Sequence, residues 1–290
     1  MGFEVLMLIG VALTTSLRTY LWTNGPRVCG GKYKAIGSKC YYIENDSEQI
    51  WLGSLYQCSR LGGHLASIQS QQELNDISKE LMYYSEYYID ISDQIEDRKG
   101  FLSATTGLAP NFRHPHLEEN QEIKGCAVIN RLGHMVDAYC YQKKLFVCEK
   151  HEEVTQEQKQ KIEKNFKKIG HKYYYIENNE QRTWIDAFHK CQELMGHLAT
   201  SRNDQELINI SKELRPGSRY FIDLIDKVEE DHYLSITSGS KDSLFFWADG
   251  EPKPRYSWGG AVVIKKSEIG TYMEHVSEFE SNYFICEASF

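Results

Sequence analysis

The 290-residue sequence holds no Cys-x-x-Cys pair, which removes the usual support for cysteine-rich zinc sites and thioredoxin-like redox centres. It also lacks a GxSxG elbow, an HExxH helix, a Walker loop and a Gly-rich dinucleotide turn, so the chain reads as a non-enzyme. A formal net charge of -8 with no basic stripe offers nothing to polyphosphate or to an anionic membrane, and no nucleic acid partner is expected. Past the amino terminus no apolar stretch approaches the roughly 20 residues that a membrane span needs.

What is present is the composition of folded domains. At 41% hydrophobic and 26% charged the chain can build packed cores, and its length suits two of ordinary size. The apolar run Val5 to Leu13, followed by Thr14, Thr15 and Ser16, reads as the core of a signal peptide over residues 1–22, with an amino-terminal anchor as the alternative. A secreted, extracellular protein accords with the eight cysteines, which an oxidising compartment lets pair as bridges. Two sequons, Asn45-Asp46-Ser47 and Asn209-Ile210-Ser211, are candidate glycosylation sites in that compartment.

Comparing the chain with itself at an offset of 133 brings Ile36 to Leu81 onto Ile169 to Leu214 without a gap, so a module is duplicated. Trp51 falls on Trp184, Cys58 on Cys191, and Gly63-His64-Leu65-Ala66 on Gly196-His197-Leu198-Ala199. The offset still holds where Tyr87 to Asp90 meets Tyr220 to Asp223. The copies then diverge, and they rejoin where Phe146-Val147-Cys148-Glu149 meets Phe284-Ile285-Cys286-Glu287. The changed offset places length differences in the intervening loops. Residues 151–168, rich in Lys, Glu and Gln, read as a solvated linker with some helix. Units are therefore expected at 29–150 and 169–290.

Each unit opens with a Tyr-rich strand. Trp184, Ala187, Phe188, Cys191 and Leu194 recur at helical spacing, ended by Gly196, and Leu74, Ile77 and Leu81 suggest a second helix that Leu207, Ile210 and Leu214 repeat. Short strands are expected at Tyr88 to Ile91, Ala127 to Ile129 and Leu145 to Val147. The sum is an α+β module.

These residues resemble the C-type lectin-like superfamily over everything but the leader and the linker, which implies two tandem C-type lectin-like domains. The resemblance makes the first copy the long form of the domain and implies three bridges, Cys29 to Cys40, Cys58 to Cys148 and Cys126 to Cys140. Six cysteines alone would allow fifteen pairings. The second copy keeps the pair Cys191 to Cys286. Tyr173 stands for Cys40, Gly260 or Ala261 for Cys126, and Ser277 for Cys140.

The resemblance also brings calcium as the one candidate cofactor, held in the family by a Glu-Pro-Asn or Gln-Pro-Asp motif in the long loop and a Trp-Asn-Asp motif before the third core cysteine. Neither motif is intact here. In the first copy Met135-Val136-Asp137 takes the second position, and Ala109-Pro110-Asn111 or Glu118-Glu119-Asn120 are the loop's nearest offerings. Asp137, Asn111, Glu118, Glu119 and Asn120 are thus the candidate ligand residues, with the metal left open. In the second copy Tyr272-Met273-Glu274 is expected at the Trp-Asn-Asp position. Its Glu251-Pro252-Lys253 belongs to a framework stretch running from Trp247 to Trp258, and the ligand-bearing loop looks deleted.

Asp90, Asp93, Asp223 and Asp226 read as exposed acids at strand ends rather than cation ligands. His64 and His197 read as structural tips, and His114 and His116 lack partners at zinc spacing. Phe245, Phe246, Trp247 and Trp258 read as core before sugar platform. Two functions remain: a lectin-like protein whose partner is a glycan, calcium dependence doubtful, or a scaffold that binds an extracellular protein without calcium or sugar. The first copy, whose long loop is pinned by a bridge, is the expected carrier of either. Tandem copies serve both readings through avidity.

Overall fold

The structure is a computed structural model that describes residues 28–93, 100–112, 117, 125–200, 203–226, 232–240, 246–252, 260–268 and 270–288. The signal-peptide residues 1–22, the loop residues Glu118, Glu119, Asn120, His114 and His116, and Phe245 and Trp258 lie outside them. In the first domain the elements are β1 (Lys34–Ile36), β2 (Lys39–Gln49), α1 (Trp51–Arg60), β3 (Gly63–Leu65), α2 (Gln71–Ser78), β4 (Glu86–Ser92), β5 (Leu102–Ser103), β6 (Gly125–Asn130), β7 (Met135–Tyr139) and β8 (Lys144–Lys150). The second runs α3 (Gln156–Asn165), β9 (Lys167–Ile169), β10 (Lys172–Arg182), α4 (Trp184–Glu193), β11 (His197–Leu198), α5 (Asp204–Ser211), β12 (Arg219–Ile225), β13 (Ala261–Lys266), β14 (Thr271–Val276) and β15 (Asn282–Ala288).

The first sheet runs β1-β2-β8-β4-β6-β7, with β3 on β8 and β5 on β4; the second runs β14-β13-β12-β15-β10-β9, with β11 on β15. In each, the strand after the helices lies parallel to the terminal strand, β4 on β8 and β12 on β15, while the remaining pairs are antiparallel. The expected α+β class and the two copies of one module are both present.

Local sequence explains the helices. Thr183, Ser70 and Asn203 cap α4, α2 and α5 by accepting a backbone N–H three residues on. The buried stripe of α4 is Trp184, Ala187, Phe188 and Cys191. Trp184 and Trp51 each anchor their helix to the sheet by donating the indole N–H to a carbonyl on the parallel strand, Ile222 at 3.0 Å and Ile89 at 2.9 Å. The bridges are Cys29–Cys40, Cys58–Cys148, Cys126–Cys140 and Cys191–Cys286, and no cysteine is free.

Three expectations change. The stretch 151–168 is not simply solvated: Thr155 and Gln158 form a capping box that opens α3, and Ile162 and Phe166 are buried. At the offset of 133 they stand where Cys29 and Tyr33 stand in the first domain, so apolar side chains fill the place of the missing hairpin bridge. The cysteine substitutes also shift. The ladders pair Cys126 with Ala138 and Ala261 with Val276, so Ala261 replaces Cys126. The Trp51 amide donates to the Cys140 carbonyl and the Trp184 amide to that of Glu278, so Glu278, not Ser277, replaces Cys140. A loop-length difference moved the register by one residue beyond what sequence alone resolved.

The third change is burial. Asp90, Asp93, Asp223 and Asp226 are all buried, not exposed. Asp223 accepts from Ser235 Oγ at 2.6 Å, the Ile236 amide at 3.1 Å, the Thr237 amide at 2.9 Å and the Thr237 hydroxyl. Asp90 accepts from Ser103 in the same place. Burial pushes both carboxyls above the ordinary range, Asp90 to about 7, against the pull of these donors. Asp223→Ala would orphan four donors in a dry site. The expected cost is about 3 kcal/mol in urea unfolding, and a loss under 1 kcal/mol would discount the network.

The two domains dock through these same loops. Ser103-Ala104-Thr105-Thr106-Gly107 of the first meets α4 of the second, while Ser235-Ile236-Thr237-Ser238-Gly239 of the second meets α1 of the first. A Cβ on Gly107 would fall 2.5 Å from the Glu193 amide and closer still to the His189 carbonyl; one on Gly239 would fall 2.6 Å from the Arg60 amide. One continuous apolar cluster takes in Trp51, Leu55 and Ala104 with Phe188 and Ile236. The two segments share a Ser-x-Thr-x-Gly pattern at an offset of 132, a second internal repeat that could have been found in the sequence.

His189 sits on α4 at this junction, 2% exposed. Burial pushes its imidazole down to about 4, offset in part by the Ser103 backbone across the interface. The folded value lies below the ordinary 6.5, so the unfolded chain takes up the proton first. The stabilising share of neutral His189 is therefore complete above pH 6.5 and is lost as pH falls to about 4. Asp90 and Asp223 titrate with the opposite sign, so the measurement is a difference: unfolding free energy of the protein minus that of His189→Leu at each pH. That difference is expected to shift by about 3 kcal/mol across the window. Parallel curves would refute it.

Candidate ligand-binding face

The loop face of each domain is framed by the strand pair that carries the Trp-Asn-Asp position, β6–β7 in the first and β13–β14 in the second. In the first domain Asp137 lies on β7 opposite Ala127 and is 5% exposed. Its neighbour Val136 brings no oxygen. Asp93, buried at the end of β4, donates its amide to the Gly125 carbonyl at the start of β6. Asn111 is exposed, and its Nδ2 donates to Gln69 Oε1 at 3.4 Å. Of the five candidate residues only Asp137 and Asn111 are described, and the structure places them in different surroundings.

Register rewrites the second domain. Val262 faces His275 as Ala127 faces Asp137, so His275 is the counterpart of Asp137, and Glu274 matches Val136. The expected role of Glu274 at the Asp position is thereby corrected. Its carboxylate takes Arg219 Nε at 2.7 Å and Lys265 Nζ at 3.0 Å, two cations that compete with any bound cation. The His275 Nε2 lies 3.3 Å from Asp226 Oδ2, and both side chains are almost wholly buried. The His275 amide donates to Glu251 Oε2 at 3.1 Å, and the Tyr233 ring meets the imidazole edge-on at 5.6 Å. Trp247 packs 5.0 Å from Tyr233 and bridges to Met273. It is half-buried and packs against the apolar cluster of the second domain.

These residues do not fit calcium in the conventional way, which calls for six to eight oxygens around one point. The second domain offers an imidazole and an ion-paired glutamate. In the first, the described oxygens are too few. No group of three or more His, Cys, Asp or Glu among the described residues is placed to hold a metal ion. His64 and His197, on β3 and β11, turn Nδ1 to the carbonyls of Leu65 at 2.8 Å and Leu198 at 2.9 Å, which makes them structural. No helix among the described residues is long and apolar enough to cross a membrane.

The family model described as Lectin C-type domain matches residues 37–150 and 180–288. Accessory gland protein Acp29AB of Drosophila melanogaster is 32% identical over 118 residues, 41% of this chain and 50% of that protein. Human C-type mannose receptor 2 is 24% identical over 289 residues, 92% of this chain and 18% of the receptor. Among solved structures, the C-type lectin domain of murine dendritic cell inhibitory receptor 2 in complex with N-glycan aligns at a TM-score of 0.40 and 23% identity, covering 44% of this chain and 98% of that one. The chain spans about half the length of the first curated relatives it matches.

Proposed function

Since the chain belongs to the C-type lectin domain family, we propose that it is a secreted glycan-binding protein whose first domain carries the ligand site and whose recognition does not depend on calcium. The observation that carries this reading is the exchange at one strand position. Asp137 stays a carboxylate in the first domain, whereas its counterpart His275 is a buried imidazole 3.3 Å from Asp226 in the second. With Glu274 held between two cations, the second domain serves as a docked support for the first. What supports a glycan as partner is the family itself, described as Lectin C-type domain, and a relative named as a mannose receptor.

The test is a glycan array probed with the full chain in calcium and again in chelator. Retention that survives the chelator and falls when Cys126 and Cys140 are both replaced by alanine is expected. Glu274→Gln should leave the profile unchanged. Retention lost on chelation would restore a metal site, and an array blank in both conditions would turn the search to the second reading, a scaffold for an extracellular protein. That reading draws on the second domain, where Glu274 is held by Arg219 and Lys265 and the His275 amide donates to Glu251.

A further inference from the structure

Two features that set the domains apart meet at one hydroxyl group. Tyr87 Oη accepts the Met82 amide at 3.1 Å and therefore gives its own proton to Asn45, whose Oδ1 lies 2.6 Å away. The second domain repeats the arrangement: Tyr220 accepts the Arg215 amide at 3.1 Å and donates to Asn178 Oδ1 at 2.5 Å. The relay is thus common framework, but its surroundings are not. Asn45 heads a sequon and Asn178 does not. The turn beside Asn45 is Met82-Tyr83-Tyr84, where the second copy has Arg215-Pro216-Gly217.

That turn needs a left-handed residue. Gly217 supplies it at φ +80°, while Tyr84 is held there at φ +64° against the steric preference of a side chain. Tyr84 is fully exposed and Tyr83 66% exposed, with the Arg131 guanidinium 4.3 Å over the Tyr83 ring and Leu132 exposed in the adjoining turn. Large apolar surface, carried in a strained turn at solvent, needs an occupant. The chemistry beside it names one. Asn45 is exposed in the stretch of β2 where the ladder to β8 breaks, between Glu44 and Gln49. Because the hydroxyl claims Oδ1, the nitrogen that would bear a sugar is not the atom the framework holds.

We propose that Asn45 carries an N-linked glycan whose first N-acetylglucosamine packs on Met82, Tyr83 and Tyr84. In the transfer, Asn45 Nδ2 bonds to the anomeric carbon of a lipid-pyrophosphate-linked oligosaccharide. The carbon–oxygen bond to pyrophosphate breaks, its electron pair leaves on the phosphate oxygen, and one amide proton passes to the transferase. The sugar's C–H face then covers exposed aromatic surface of Tyr84 and the part of Tyr83 left open beside Arg131.

The experiment uses the full chain, expressed through the insect-cell secretory route behind a foreign leader, so that it does not rest on the native one. Enzymatic release of N-glycans in 18O water marks each formerly glycosylated asparagine by mass. Melting is then compared for protein trimmed to a single N-acetylglucosamine and protein fully deglycosylated. The mark is expected at Asn45, with the single sugar raising Tm by about 3 °C. The rise is expected to vanish in Tyr83→Ser/Tyr84→Gly, a variant whose turn Gly217 shows to be accessible. An unmarked Asn45 overturns the proposal, and so does a mark whose effect on Tm persists in the variant.

Discussion

Replacing Cys191 and Cys286 together by alanine is expected to cost the second domain about 4–5 kcal/mol, enough to unfold it near body temperature while the first domain holds. The pair closes a loop of 95 residues and is the only bridge in that half of the chain. Its removal frees the unfolded chain more than loss of Cys126–Cys140, which spans 14 residues and is worth about 3 kcal/mol on the same scale. The first domain would still hold Cys29–Cys40 and Cys58–Cys148. Amide exchange followed along the sequence during urea titration separates the two halves. Protection lost first in β10, β12 and β15 is the expected result, and simultaneous loss in both halves would mean that docking, not the bridge, sets the second domain's stability.

Gly107→Ala is expected to part the domains, at a cost of about 3 kcal/mol. The new Cβ would sit in a left-handed residue, φ +66°, and would meet main chain of α4 on two sides, at His189 and Glu193. A flexible side chain could move away; helix backbone cannot. Gly100→Ala is the control, because its φ of +90° brings the same kind of strain with nothing within 4 Å of the added atom. Small-angle scattering and exchange at Ser103 to Leu108 and His189 to Glu193 report the outcome. If Gly107→Ala behaves as Gly100→Ala does, the reciprocal seating of the loops has no energetic weight. If it opens the junction, Ala104 and Phe188 lose their cover and His189 regains water, which should also flatten its pH effect.

The duplication, the order of strands and helices in each unit and the identity of the cores were open to reading in the sequence, because they rest on local periodicity and on a gapless repeat from Ile36 to Leu81. Tyr88 to Ile91 and Ala127 to Ile129 carry their strand character in their own side chains, and they lie in β4 and β6. Tertiary structure decided the rest. Whether Glu274 or His275 matches Asp137 turned on one residue of ladder register across a loop of unequal length, and a period of two sends such neighbours to opposite faces. Asp90 and Asp223 look like surface acids in sequence, yet they are interior because hydroxyls and amides from loops a dozen residues on close over them. The meeting of Gly107 with His189 and Glu193 of α4, and of Asn45 with Tyr87, joins residues 42 to 86 positions apart, and such contacts come only from the packed chain.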